Sequence, residues 1–304
     1  MVAGREDVTF TSGHGEDRAD CAAWLYRPDG DAATPRPLIV LAHGLGAVRT
    51  MRLDEYGTRF ATAGYAALVF DYRHFGDSAG MPRQLLDIGR QREDWHSAIA
   101  FARRIDGVDP DKICLFGTSF AGGHVIAVGA ADPGVAAIIS QCPFTNGLAS
   151  GLTLGPKATL GVAVTALRDL LASIRGKEPV LVPLAGAPGE TALMNAPDVV
   201  DGYFGLVPAG QAITNGAAGR VGLRIPLSRP GRLVKKIAAP ILFCVCDADT
   251  VAPPGPTLKY AAQARNGTVR RYPFGHFDIY VGDPFEKVIT DQIAFLHQEV
   301  PVSA

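Results

Sequence analysis

Three side chains of this 304-residue sequence have the types needed to attack an acyl group: Ser119 in "GTSFAGG", Asp249 in "CVCDADTVAPP" and His276 in "YPFGHFDIY". A serine hydroxyl is a weak nucleophile by itself. It needs a base within hydrogen-bond reach and an acid that holds the base in the useful tautomer. Ser119 follows the apolar run "KICLF", with Gly117 two residues before it and Ala121 two after. A serine on a sharp strand-to-helix turn requires such neighbours, because the backbone is strained there and bulky side chains would collide with the turn. His276 follows the strand-like "TVRRYPF" and a turn glycine, so a loop is expected to present its ring as a general base. The other six histidines fit worse: His14 lies in a polar leader, His96, His124 and His297 in helical stretches, and His43 and His74 after earlier strands. No pair among them has HExxH-type spacing, so neither a metal nor a cofactor is expected.

Two residues compete for the acid, Asp247 and Asp249, both directly after the buried run "ILFCVC". Asp249 is preferred because Thr250 to Pro253 read as the loop into the next helix. This leaves Asp249 at the turn and Asp247 nearer the strand, with a turn or capping role. Upstream, "LAHGLGA" (41–47) is a loop of small residues after the first core strand. Its Leu45 NH, with the NH of Phe120 behind the serine, is expected to bind the oxygen that becomes negative when an acyl carbon is attacked. His43 is expected to be a structural hydrogen-bonder.

Positioning these residues requires buried strands that end at one edge. "PLIVLA" (37–42), "YAALVF" (65–70), "KICLF" (112–116), "AAIIS" (136–140) and "ILFCVC" (241–246) are short and nearly continuous in apolar residues, as strands covered on both faces should be. Between them lie helical periods: Trp95, Ala98, Ile99 and Ala102 share one face, and Phe285, Val288, Ile289, Ile293 and Leu296 mark a last helix. The alternation predicts an α/β domain with a doubly wound, mostly parallel sheet, and "DVTF" and "CAAWLYR" predict an antiparallel extension at its edge. One stretch, 146–236, is too long for a simple crossover. It contains the helix-like "KATLGVAVTALRDLLASIRG" and "EPVLVPLAGAPGETALM", which resembles a hairpin around Pro188 and Gly189. It is read as an inserted, mainly helical cap or lid over the carboxyl edge, dividing a discontinuous core of residues 1–145 and 237–304.

The chain order Ser119, Asp249, His276, with a His-Gly loop upstream and crossovers throughout, resembles the α/β-hydrolase fold superfamily over residues 20–145 and 237–298. "FDYRHFGDS" is similar to a stretch of its esterases, and the whole resembles cap-bearing bacterial serine hydrolases related to dienelactone hydrolases and acyl esterases. The resemblance implies a Ser119 nucleophile, a His276 base, an Asp249 orienting acid, and a small-molecule acyl ester or thioester substrate. Two positions depart from the pattern. Ala121 replaces the usual second glycine of the elbow, a sterically mild change, and His74 stands where glycine is more frequent, leaving a substrate contact or a structural role open.

Composition narrows the remaining classes. With 29 Lys+Arg against 30 Asp+Glu there is no global field to draw in nucleic acid or an anionic membrane. The polar N-terminus lacks a secretory apolar region, and no apolar run approaches the ~20 residues that span a bilayer, so a cytoplasmic protein is expected. The five scattered cysteines form no CxxC pair; Cys114, Cys244 and Cys246 read as core residues in a reducing compartment. The basic run Arg229, Arg232, Lys235 and Lys236 reads as a solvated face, with an anionic substrate such as a coenzyme A thioester as the alternative. The expected function is carboxylic ester hydrolysis through an acyl-enzyme. The alternatives are thioester, lactone or amide cleavage, acyl transfer, or a non-catalytic binder of the same fold, and a homodimer is compatible with each.

Overall fold

The protein is described by a computed structural model covering residues 4–29 and 34–302, so residues 1–3, 30–33, 303 and 304 of the expected core lie outside the described residues. The apolar runs form β3 (Arg36–Ala42), β4 (Ala66–Phe70), β5 (Val108–Thr118), β6 (Ala137–Gln141) and β9 (Ile241–Cys246). They are buried almost throughout, so both faces are covered. With β1 (Arg5–Ser12), β2 (Ala19–Tyr26) and β10 (Gly267–Tyr272) they make one eight-stranded sheet in the order β1-β2-β4-β3-β5-β6-β9-β10. The pairs β1–β2 and β2–β4 are antiparallel and the others parallel, as expected for the edge extension and the core. After β3 the winding goes outward to β4 and then returns past β3 to β5, so the loops that follow β3 and β5 lie side by side. Such a switch point opens a crevice at the carboxyl edge.

The helices α1 (Leu53–Thr62), α2 (Ile88–Ala102), α3 (Phe120–Ala131), α7 (Pro254–Ala261) and α8 (Gly282–Glu299) cover the sheet. In α2 the residues Trp95, Ala98, Ile99 and Ala102 are all buried, as their spacing predicts. In α8, Phe285, Val288, Ile289 and Leu296 are buried, whereas Ile293 is only half-buried. α3 is buried on every side because it is sandwiched between the sheet and the 3₁₀ turn Pro230–Lys236. All five cysteines are buried and unpaired. Among the described residues no helix is long and apolar enough to cross a membrane.

The stretch "FDYRHFGDS" is a latch built from charge. Asp71 accepts from Arg49 N and Arg49 Nη1 at 2.7 and 2.9 Å, and burial pushes its carboxyl up to about 6. Arg73 donates from Nε to Asp94 at 2.5 Å, with the two side chains 0 % and 1 % exposed. Removing one member of a buried pair strands the other charge in a low dielectric. Asp94→Ala should therefore cost about 3–5 kcal/mol of stability, read from the urea unfolding midpoint. A loss under about 1 kcal/mol, the worth of an exposed pair, would contradict this account.

Between β6 and β9 the inserted segment carries α4 (Gly147–Gly151), α5 (Gly155–Ile174) and α6 (Val199–Gly205). The hairpin expected around Pro188 and Gly189 does not form. Pro183 and Pro188 have no NH to give a ladder. Instead β7 (Leu181–Val182) pairs with the distant β8 (Ala217–Ala218), and residues 185 and 194 meet in a single bridge. The Asn215 side chain replaces a strand here: its Oδ1 accepts from Leu184 N and Ala185 N, and its Nδ2 donates to Ala185 O.

Candidate active site

Ser119 sits between β5 and α3 with φ 57° and ψ −116°, a conformation that costs a non-glycine residue free energy unless its surroundings enforce it. They do: Ser119 N donates to Gln141 O at 2.8 Å, and Ser119 O accepts from Phe144 N at 2.9 Å, both from the chain leaving β6. Two glycines leave the room. A Cβ on Gly117 would lie 2.2 Å from Ala121 O, and one on Gly44 would lie 2.8 Å from Ser119 Cβ and 3.2 Å from its Oγ. Ala121, in place of the elbow's second glycine, is accommodated fully buried.

The loops after β9 and β10 bring the other two residues to this serine. Ser119 Oγ lies 3.0 Å from His276 Nε2, and His276 Nδ1 lies 2.7 Å from Asp249 Oδ2, with all three residues buried. An ionised carboxylate only accepts, so Nδ1 carries the proton and donates to Asp249, leaving Nε2 to accept from the Ser119 hydroxyl. The other Asp249 oxygen accepts from Val251 N and Ala252 N at 2.9 and 2.6 Å, which fixes the carboxylate's orientation. Asp247 is elsewhere: at the surface it accepts from Arg271 Nε at 2.9 Å.

Burial works against the imidazolium, but the adjoining Asp249 carboxylate and Cys142 outweigh it and hold the His276 pKa well above the ordinary histidine value of about 6.5. A base that is already protonated cannot take the serine proton. kcat/KM should therefore climb with pH along a limb whose midpoint lies above about 6.5. A midpoint at or below that value in a pH–rate profile would contradict the arrangement.

Leu45 and Phe120 line the same cavity as Ser119, Leu45 from the loop after β3 and Phe120 as the first residue of α3, where helix NH groups have no partner within the helix. His43 is tied into the fold. Its Nδ1 accepts from Gly44 N at 2.8 Å, so its Nε2 donates to Met51 O at 2.9 Å, and burial lowers its pKa to about 4. His74 is also structural, at φ 71°, with its backbone bonded to Ala79 O and Gln84 N, and burial and neighbouring arginines lower its pKa to about 4. It does not line the cavity beside Ser119. His124 of α3 bonds Gln91 Oε1 of α2 at 2.9 Å.

The cavity has a volume of about 850 Å³ and is mainly apolar. Ser119 and Phe144 line it from the core, and Leu160, Met194, Leu223 and Ile225 from the inserted segment. That segment also braces the loops that carry Asp249 and His276: Thr250 Oγ1 donates to Asp198 Oδ1 at 2.7 Å, and a Cβ on Gly202 would meet the Phe277 ring at 2.4 Å.

Cys142 is a neighbour that spacing arguments passed over. It has φ 33°, and its sulfur lies within 4.8 Å of the ligand atoms of Asp249 and His276. The signal was available, since Cys142 follows β6 just as Ser119 follows β5 and Asp249 follows β9, all at the carboxyl edge. The three atoms form a donor set suited to a soft divalent ion, although Asp249 and His276 already bond one another. Tyr280 is the other omission; its hydroxyl meets Thr118 Oγ1 at 2.5 Å beneath the elbow.

A doubly wound sheet with a strained serine at its switch point is that of an α/β-hydrolase, and the chain is an enzyme of that superfamily. It belongs to the family described as X-Pro dipeptidyl-peptidase (S15 family), whose profile matches residues 17–179, a span that includes Ser119 but not Asp249 or His276. It is 52 % identical to the quorum-quenching protein AidA of Acinetobacter baumannii, covering 97 % of this chain and 95 % of that one. It is 25 % identical to the polyketide transferase af380 of Aspergillus fumigatus, covering 97 % and 99 %. The crystal structure of the α/β hydrolase GrgF from a Penicillium species superimposes with a TM-score of 0.79 at 23 % identity, covering 97 % and 99 %.

Proposed function

We propose that this hydrolase cleaves a carboxylic ester of an apolar acyl chain through Ser119, His276 and Asp249. Ser119 attacks the acyl carbon while His276 Nε2 takes its proton and passes it to the leaving alcohol. Asp249 holds the ring and steadies the imidazolium, and the NH groups of Leu45 and Phe120 receive the oxyanion. Water, activated by the same histidine, then releases the acid and regenerates the serine. The unbroken line of bonds from Asp249 through His276 to Ser119, ending at a largely apolar cavity, carries this reading. The inserted segment acts in it as the cap that selects the acyl group.

The likeness to a quorum-quenching protein favours a diffusible acylated signal as substrate, with a lactone counted among the esters. The likeness to a polyketide transferase favours a second outcome for the same acyl-enzyme, transfer to an acceptor other than water. A graded series of acyl esters, lactones and thioesters, with free acid and transfer product both quantified, tests the proposal. The expected result is acid release that improves as the acyl chain lengthens to fill the cavity; no turnover of any member would overturn it.

A further inference from the structure

Several arginines packed into the fold are paired with buried carboxylates: Arg49 with Asp71, Arg73 with Asp94, and Arg220 with Asp169. Four arginines that share one groove lack such partners, Arg92 and Arg229 half-buried and Arg224 and Arg232 exposed. Arg92 of α2 and Arg224, Arg229 and Arg232 of the inserted segment line one groove of about 740 Å³. Among the described residues none of the four has a carboxylate within ion-pair distance. The Nε atoms of Arg92 and Arg229 are buried without any hydrogen-bond partner, and burial works against the charge of Arg92. The one carboxylate in the groove wall, Asp87, has its Oδ1 engaged by Gly89 N and Arg90 N at the start of α2. Lys235 and Lys236 of the same basic run do not line the groove.

Burying the Nε groups of Arg92 and Arg229 without a partner costs solvation, a cost that an anion in the groove would offset. Guanidinium forks match the oxygens of phosphate in pairs, so four of them suit two adjoining phosphoryl groups. We infer that the groove lined by Arg92, Arg224, Arg229 and Arg232 is a binding site for a diphosphate-type anion. The position adds a connection to the catalytic cavity. Leu223, Ile225 and Pro226 line the cavity of Ser119, while Arg224, Leu227 and Ser228 line the groove, so a single short segment walls both. The diphosphate can be a free anion or the phosphates of a thioester's carrier arm. Only the second source rests on the acyl-transfer chemistry proposed above.

Calorimetric titration with pyrophosphate, coenzyme A and unphosphorylated pantetheine tests this without reference to turnover. The expected result is binding of pyrophosphate that weakens about tenfold or more in Arg229→Gln/Arg232→Gln and weakens with added salt. Turnover of an uncharged short-chain ester should stay within about twofold of wild type, since neither residue touches the Ser119 cavity. Arg232→Gln alone, at an exposed position, keeps the test informative should the double variant fold poorly. Binding of coenzyme A but not pantetheine identifies a carrier arm as the source, and pyrophosphate binding alone identifies a free anion. No binding of pyrophosphate or coenzyme A at millimolar concentration, or equal affinity in wild type and both variants, would overturn the inference.

Discussion

Ser119→Ala is expected to lower kcat by about 10⁶-fold and to abolish labelling by a fluorophosphonate probe. The size follows from what the substitution removes. The hydroxyl is the group bonded to His276 Nε2 at the elbow, and without it no serine remains there to form the acyl-enzyme. What remains is the acceleration from binding and oxyanion donors, about 10³- to 10⁴-fold over the uncatalysed reaction. Alanine is tolerated at the turn because the neighbouring bonds use the Ser119 backbone and not its side chain, so the folded state should persist. Retained labelling, or ester turnover within tenfold of wild type, would sink the assignment of Ser119.

Asp249→Asn should cost about 10⁴-fold in kcat, with little change in structure. The amide would offer NH to His276 Nδ1 and turn the ring's proton toward Nε2, the atom that must accept from serine. The pH limb should then move to lower pH, because the carboxylate that most sustains the imidazolium is gone while burial still opposes the charge. Asp247→Asn should stay within about twofold, since its contact with Arg271 is an exposed pair. Kinetics of the two variants side by side decide the matter: a large loss confined to Asp247→Asn would reverse the assignment.

The sheet and its order were legible because buried parallel strands carry a local signature that needs no knowledge of their partners. "PLIVLA", "KICLF" and "ILFCVC" are apolar at consecutive positions, and only a strand covered on both faces uses such a run. The candidate site was legible for a related reason: residues at the carboxyl ends of parallel strands converge wherever the helices fall, so Ser119, Asp249 and His276 could be gathered from spacing alone. Cys142 follows a strand in the same way. It escaped notice because a cysteine there has no role that sequence spacing can distinguish from packing. The hairpin expectation failed where geometry is set from a distance. Nothing local to Pro183 and Pro188 says that Asn215 supplies the missing bonds or that Leu181 pairs with Ala218. The arginine groove was half legible. Arg229 and Arg232 stood out as charge, but Arg92, far away in sequence, joins them only where α2 and the returning chain wall the same groove.

The contacts of α6 set a condition on how substrate preference can change in this lineage. Asp198 holds the hydroxyl next to the acid, and Gly202 admits the ring next to the base. In the proposed reaction, the segment that lines the cavity of Ser119 thus also supports the loops of Asp249 and His276. A graft from a relative that brings a new pocket but lacks a small residue at 202 or a carboxylate at 198 would shift Asp249 and His276 along with it. Preference is therefore more readily altered by exchanging single wall residues such as Leu160 or Met194 than by replacing the roof entire.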